Sequence, residues 1–307
     1  PETTEWLLDA DPAIRWQVMR DLLDSPPADV EAERARVATE GWGAELLSLQ
    51  DPDGRWAGAL YSPKWTSTTY TLLLLARLGL EDRHPAARRG CDVLWDSARS
   101  FDGGLNLAKT VRAPETCITG MLVGLASTFG VDDDRVEAAV AWLLDQQLAD
   151  GGWNCETVHR GSTHGSFHTS VIVLEGLLAY ERHGRRTVVA PALADGRRFF
   201  LDHRLYRSHR TGEVVDPVFT RFPFPPRWHF DVVRGLEHFA EAGAEPDERL
   251  ADAADAVRRA QRRDGRWQKY RDHAGRRWFT FEGRGPSRWS TLRALRVLRW
   301  WNDGGPS

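Results

Sequence analysis

Asp53-Gly54-Arg55-Trp56 returns as Asp102-Gly103-Gly104-Leu105, as Asp150-Gly151-Gly152-Trp153 and as Asp264-Gly265-Arg266-Trp267. The steps are 49, 48 and 114 residues, the last being two steps of 57 with the missing copy near Thr211-Gly212-Glu213. About five repeats of roughly 50 residues therefore fill the chain, and a long fixed period means a repeat architecture. Each repeat has one plan. An amphipathic helix precedes the turn, expected at 43–50, 87–97, 135–147, 193–203 and 249–262. A loop of variable length follows. A more apolar helix then closes the repeat, at 66–78, 117–129, 168–181, 230–240 and 290–301. The second set is apolar on nearly every side, as in the run TLLLLARLGL from Thr71, so it is the more buried. Strand-like alternation is scarce. The fold class is all-α, with paired helices running as an open solenoid or closing into a ring.

The remainder bounds the protein. Residues 1–43 read as an N-terminal helical segment, with Thr3 or Thr4 capping a first helix. Pro12 sits in the first turn of a second, over 13–23, and a charged third runs over 31–39. The 307 residues suit one large domain, 1–307, of which 44–302 are repeats. A net charge of −3, with its 41 Lys and Arg spread along the chain, gives no electrostatic case for nucleic acid. No apolar run approaches the roughly 18 residues needed to span a bilayer. The opening PETTEWLLDADPAIRW lacks the order of a signal peptide, and three cysteines do not make a disulfide scaffold. A cytoplasmic protein with reduced thiols is expected. Fourteen Trp supply either a large core or a ring-walled pocket. Trp56, Trp153 and Trp267 read as wedges between the amphipathic helices.

The chemistry gathers between Asp102 and Gly124, DGGLNLAKTVRAPETCITGMLVG. Lys109, Arg112, Glu115 and Cys117 fall within nine residues of one another, just before an apolar helix. A carboxylate and a thiol two apart can hold one metal ion from a single segment, and the cations can hold an anion beside it. The stretch Gly165 to Gly176 repeats the helix-start pattern with His168 in the place of Cys117. Taken singly, Cys117 reads as a small core residue, Glu115 as a helix N-terminal charge and His168 as a hydrogen-bonded core histidine. Together they make a zinc ligand set with the fourth position open to water or substrate. Cys155, His159, His164 and His168 form a rival cluster, whose spacing matches no structural zinc module. Cys155 is expected to stay off the metal, with His164 as a further ligand or a support for one. Asp133-Asp134-Arg135-Val136-Glu137 fits a metal-binding DDxxE pattern, but its position predicts helix capping. The loop from Arg221 to His229 brings aromatics together, with Arg227 or His229 facing a cavity or ordinary loop packing as the two readings.

The turns with their flanks, SLQDPDGRWAG, DQQLADGGWNC and AQRRDGRWQKY, resemble those of the terpenoid cyclase and protein prenyltransferase superfamily over residues 44–302. The resemblance implies an α/α toroid, a double ring of inner and outer helices around a central cavity. Squalene cyclases and class II diterpene cyclases of that superfamily carry a D-x-D-D acid; here Val131-Asp132-Asp133-Asp134 lacks the spacing. Prenyltransferase β subunits are more similar. They bind zinc through an Asp-x-Cys at one inner helix start and a His at the next, matched by Glu115-Thr116-Cys117 and His168. Their diphosphate-binding cations stand eight and five residues before the cysteine, the places of Lys109 and Arg112. Glu115 replaces the family's Asp, and Ile118 replaces a tyrosine that helps hold the diphosphate. What the resemblance implies is a zinc enzyme acting on an isoprenoid or similar apolar, diphosphorylated substrate. The expected reaction is alkyl transfer to a thiol or zinc-hydroxide chemistry, with magnesium accompanying the diphosphate and a helical partner subunit. The alternatives are a terpene cyclase-like enzyme without the D-x-D-D acid, or a non-catalytic toroid that binds an apolar ligand or a partner protein.

Overall fold

The computed structural model describes residues 2–184 and 188–304. Its helices are α1 Glu2–Leu8, α2 Pro12–Asp21, α3 Pro27–Ala35, α4 Gly41–Ser48, α5 Thr68–Leu78, α6 Pro85–Ser97 and α7 Thr116–Phe129. They continue as α8 Asp134–Asp145, α9 Glu156–Arg160, α10 Phe167–Arg182, α11 Ala190–Asp202, α12 Val232–Glu241, α13 Ala251–Arg259 and α14 Arg288–Gly304. Strand is confined, among the described residues, to two short antiparallel pairs, Arg99–Phe101 with Gly104–Asn106 and Trp267–Gln268 with Pro286–Ser287. The chain is all-α, as an α/α toroid requires. No described helix is long and apolar enough to cross a membrane. By contact the chain forms two compact units, one of residues 1–48, 77–81 and 201–307, the other of 49–76 and 82–200.

The repeat turns share one construction. Gly54, Gly103, Gly151, Gly212 and Gly265 all take a positive φ, between 73° and 102°, which a side chain disfavours. A positive-φ glycine thus stands also at position 212, where the missing copy is expected, although the Asp and Trp are absent there. In three turns a glutamine ties the loop: Gln50, Gln147 and Gln261 each donate to the carbonyl of the turn glycine, at 2.9, 2.8 and 3.0 Å. After the glycine, one backbone N–H enters the core and meets a hydroxyl at the start of the apolar helix. The pairs are Trp56 to Thr68 at 2.9 Å, Leu105 to Thr119 at 2.9 Å, Trp153 to Ser170 at 2.9 Å and Trp267 to Thr291 at 3.0 Å. A buried N–H without a partner would cost about 1–3 kcal/mol, so each hydroxyl fixes where its helix begins against its turn. Trp56, Trp153 and Trp267 are fully buried. Trp153 bonds the Leu143 carbonyl of α8 at 2.8 Å and packs on Gly196 of α11, which makes it the expected wedge.

In the second unit α7 and α10 approach closely because glycines face each other. A Cβ on Gly176 would lie 2.3 Å from the Gly120 carbonyl, and one on Gly124 would lie 3.2 Å from the Gly176 Cα. Asp133 caps α8, accepting from the Arg135 N–H at 2.8 Å, and the Arg135 guanidinium holds its carboxyl below the ordinary carboxylate range. That is the capping role expected of the DDxxE stretch.

In the first unit the chain's two ends meet. Arg288 of α14 donates to the Trp6 carbonyl at 3.0 Å, and Arg296 pairs with Asp21 of α2 at 2.7 Å. Arg293, buried between α12 and α14, reaches Glu237 at 2.9 Å and Asp231 at 3.4 Å. Thr3 and Thr4 lie inside α1, which begins at Glu2, so neither caps it; the second helix, α2, is capped by Asp11, which accepts from the Ala13 N–H at 2.9 Å. An extended backbone at Asp11 leaves its side chain free to turn back on α2, which a residue already in a helix cannot do.

Gly176→Ala should lower stability by about 1–3 kcal/mol, the usual cost of overpacking a close helix contact. Urea unfolding followed by circular dichroism measures it, and an unchanged midpoint would show that the two backbones have room to part.

Candidate metal centre

Three ligand-type atoms converge in the second unit. The Glu115 carboxylate, the Cys117 thiol and the Cys155 thiol lie within 4.8 Å of one another, all half-buried. Glu115 is the residue before α7, in an extended conformation. Its N–H donates to the Leu105 carbonyl at 3.0 Å, and its own carbonyl accepts the Thr119 hydroxyl at 2.9 Å. Thr119 is the residue that anchors the preceding turn, so one hydroxyl ties the turn, Glu115 and the helix start together. Cys117 follows in the first turn of α7.

Cys155 arrives from the next repeat. It lies two residues beyond Trp153, whose N–H is anchored on Ser170, and its own N–H donates to Thr169 at 3.4 Å. The sulfur then receives the Cys117 N–H at 3.3 Å and the Thr169 hydroxyl at 3.6 Å. Asn154 steadies the segment, accepting from the Glu156 N–H at 2.9 Å and donating to the His164 carbonyl at 2.8 Å. His159, on α9, places Nε2 2.8 Å from Glu115 Oε1.

The two thiols differ. Cys117 is pushed well above the ordinary thiol range, first by donating to the Cys155 sulfur, then by burial and by the negative charge of Cys155 and Glu115. Cys155 moves down, because the Cys117 donor stabilises its thiolate more than burial opposes it. Further groups feel the same charges. Tyr61 is pushed up by burial and by Cys117, Cys155 and Glu115, and its hydroxyl bonds that of Tyr70 at 3.1 Å. Burial moves the Lys64 ammonium down while Cys117 and Glu115 draw it up. It lies 5.1 Å from the Tyr61 ring and 5.9 Å from the Trp65 ring.

Of the residues expected from sequence, Glu115 and Cys117 come together. The third atom of the group is the Cys155 thiol. His168 is the second residue of α10, half-buried and outside the group of three. Lys109 and Arg112 are exposed on the loop between Asn106 and Glu115. That loop is organised by buried Asn106, whose side chain donates to the Val111 and Ala113 carbonyls at 2.9 and 2.6 Å. His164 is exposed. Arg227 and His229 belong to the first unit. There the His229 ring stacks on Trp228 at 3.8 Å and on His273 at 3.6 Å, while both backbone carbonyls accept from Arg234. Sequence reasoning did not bring Cys155, Tyr61 or Lys64 to this centre. For Cys155 a signal existed: it follows Trp153 by two residues, as Cys117 precedes Thr119 by two, so both stand equally close to an anchored position.

No protein-family model and no curated protein matches the chain. Solved structures do. A protein from Actinoplanes is 20% identical, over 95% of this chain and 90% of its own, with a TM-score of 0.49. The type II terpene cyclase MstE from Scytonema, in its apo form, is 14% identical, over 91% and 99%, with a TM-score of 0.36. A variant of MstE in complex with its product merosterolic acid A is 14% identical, over 89% and 97%, with a TM-score of 0.34.

The burial difference among the cysteines gives a direct check. Cys91 is fully buried, whereas Cys117 and Cys155 are only partly buried. Iodoacetamide on the native, metal-free protein should alkylate Cys155 first, reach Cys117 more slowly because that thiol is held protonated, and spare Cys91 until denaturant is added. Peptide mass mapping reads the result, and native labelling of Cys91 would contradict this burial.

Proposed function

We propose that Glu115, Cys117 and Cys155 hold a zinc ion, and that the protein is a zinc enzyme transferring an isoprenoid or similar alkyl group to a thiol. The observation that carries this reading is the convergence of one carboxylate and two thiols within 4.8 Å. The donor set selects among metals. Magnesium and calcium prefer all-oxygen sites, whereas thiolate with carboxylate suits zinc. Three protein ligands leave one position open, the pattern of catalytic rather than structural zinc. Zinc bound there would hold a substrate thiol in its deprotonated, nucleophilic form at neutral pH.

The chain's own residues supply the rest. His159 would steady Glu115 through Oε1, as outer partners of metal ligands do. Thr169 and the Cys117 N–H orient the Cys155 sulfur. Tyr61, Trp65 and Tyr70 form a ring wall, with Trp65 and Tyr70 edge to face at 4.8 Å, suited to an apolar chain. Lys64 adds a cation within electrostatic reach of the ligands. Lys109 and Arg112 serve as the outer cations for a diphosphate leaving group, from the loop that Asn106 organises.

Zinc per chain after dialysis, with circular dichroism as the folding control, tests the metal. Wild type should hold one ion, and Cys117→Ser or Cys155→Ser should lose most of it. His159→Ala should weaken binding by about 10- to 100-fold, the usual effect of removing a ligand's outer partner. If Cys155→Ser keeps the ion and His168→Ala loses it, the ligands are Glu115, Cys117 and His168 instead. Wild type without metal after expression in zinc would end the reading.

The leaving-group site is tested separately with geranyl diphosphate by calorimetry. Lys109→Ala and Arg112→Ala should each cost about 1.5–3 kcal/mol of binding while zinc content stays unchanged. Equal binding by the double variant would remove both residues from the site.

A further inference from the structure

We infer that Cys117 and Cys155 can close a reversible disulfide, which makes the centre a thiol switch as well as a ligand set. The two cysteines are 38 residues apart in sequence, yet the Cys117 N–H donates directly to the Cys155 sulfur at 3.3 Å. The two sulfurs themselves lie within 4.8 Å of each other. Two sulfurs this near, on segments joined by a direct hydrogen bond, stand close to a disulfide in geometry. Bond formation asks the side chains to turn until the sulfurs reach about 2.05 Å, with Cα atoms within the usual span of about 4.4–6.8 Å. Both cysteines are only partly buried, unlike Cys91. The third cysteine is excluded by position: Cys91 is buried on α6, with its sulfur 3.8 Å from the Leu125 carbonyl.

The chemistry balances with a small disulfide such as oxidised glutathione. The Cys155 thiolate attacks one glutathione sulfur. The glutathione S–S bond breaks, one glutathione thiolate leaves, and a mixed disulfide stands on Cys155. Cys117 gives its proton to solvent and attacks the Cys155 sulfur, releasing the second glutathione as a thiolate. The two cysteines are oxidised by two electrons, glutathione disulfide is reduced, and protons from solvent complete two glutathione thiols. One consequence rests on the zinc reading above. Closing the bond withdraws two of the three ligands, so oxidation should expel the ion and reduction should restore the site.

The test uses the full chain, freed of metal with a chelator and equilibrated with oxidised glutathione. Free thiols are then blocked in acid and the chain is digested for peptide mapping. The expected result is loss of two of the three free thiols. A peptide pair joined through Cys117 and Cys155 should appear, with Cys91 alkylated intact and everything reversed by dithiothreitol. Cys117→Ser and Cys155→Ser should yield at most a glutathione adduct. Wild type that stops at glutathione adducts, or keeps all three thiols while folded, overturns the switch. A parallel arm follows zinc release from metal-loaded protein with a chromogenic chelator. Disulfide formation in a chain that never binds zinc keeps the switch and ends the zinc reading. Zinc binding without any cross-link does the reverse.

Discussion

The structure depends on one repeated hydrogen bond: a backbone N–H just past each turn glycine, donated to a hydroxyl at the start of the next apolar helix. Trp56, Leu105, Trp153 and Trp267 donate; Thr68, Thr119, Ser170 and Thr291 accept. A turn that enters a core carries an N–H that no helix or sheet satisfies. Supplying the acceptor from the buried helix removes that cost and sets the register between turn and helix. All four hydroxyl residues are fully buried, where burial otherwise favours a hydrocarbon side chain.

The candidate centre inherits its position from two of these bonds. Glu115 and Cys117 flank the start of the helix anchored through Thr119. Cys155 emerges from the turn anchored through Ser170. Neither segment needs the metal to be in place, because each is tied by backbone and hydroxyl contacts of its own. The ligand atoms are therefore brought together by packing, and an ion would enter a site already assembled.

Much of the fold was legible because it repeats. The turn glycines take a positive φ that a side chain disfavours, and such a glycine stands even at Gly212, where the flanking aspartate and tryptophan are absent. Apolar helices announced themselves by composition, and their observed bounds fall within two or three residues of those expected. The anchoring hydroxyls were not legible, since a threonine or serine at a helix start looks like the other polar residues beside it, as Thr68 does among Thr66, Ser67 and Thr69. At the site, Glu115 and Cys117 could be read because one helix start delivers both. Cys155 carried only its nearness to the anchored Trp153 as a signal, because its final position depends on how a loop folds back between two anchored points. His168 occupies in its repeat the place of Cys117, two residues before the anchoring hydroxyl. Equivalence in the repeat frame locates the helix start, but not the direction of the side chain.

The glycine contact between α7 and α10 bears on how such a scaffold changes over time. With Gly120, Gly124 and Gly176 fixing the separation of two backbones, the helix pair has little room to absorb new side chains at its seam. The loops beyond each turn are held instead by a few local hydrogen bonds, such as those of Asn106 to the Val111 and Ala113 carbonyls. Novelty in a chain of this kind is therefore channelled into loop residues: chemistry can be exchanged at the rim, one segment at a time, while the spacing beneath it is inherited unchanged.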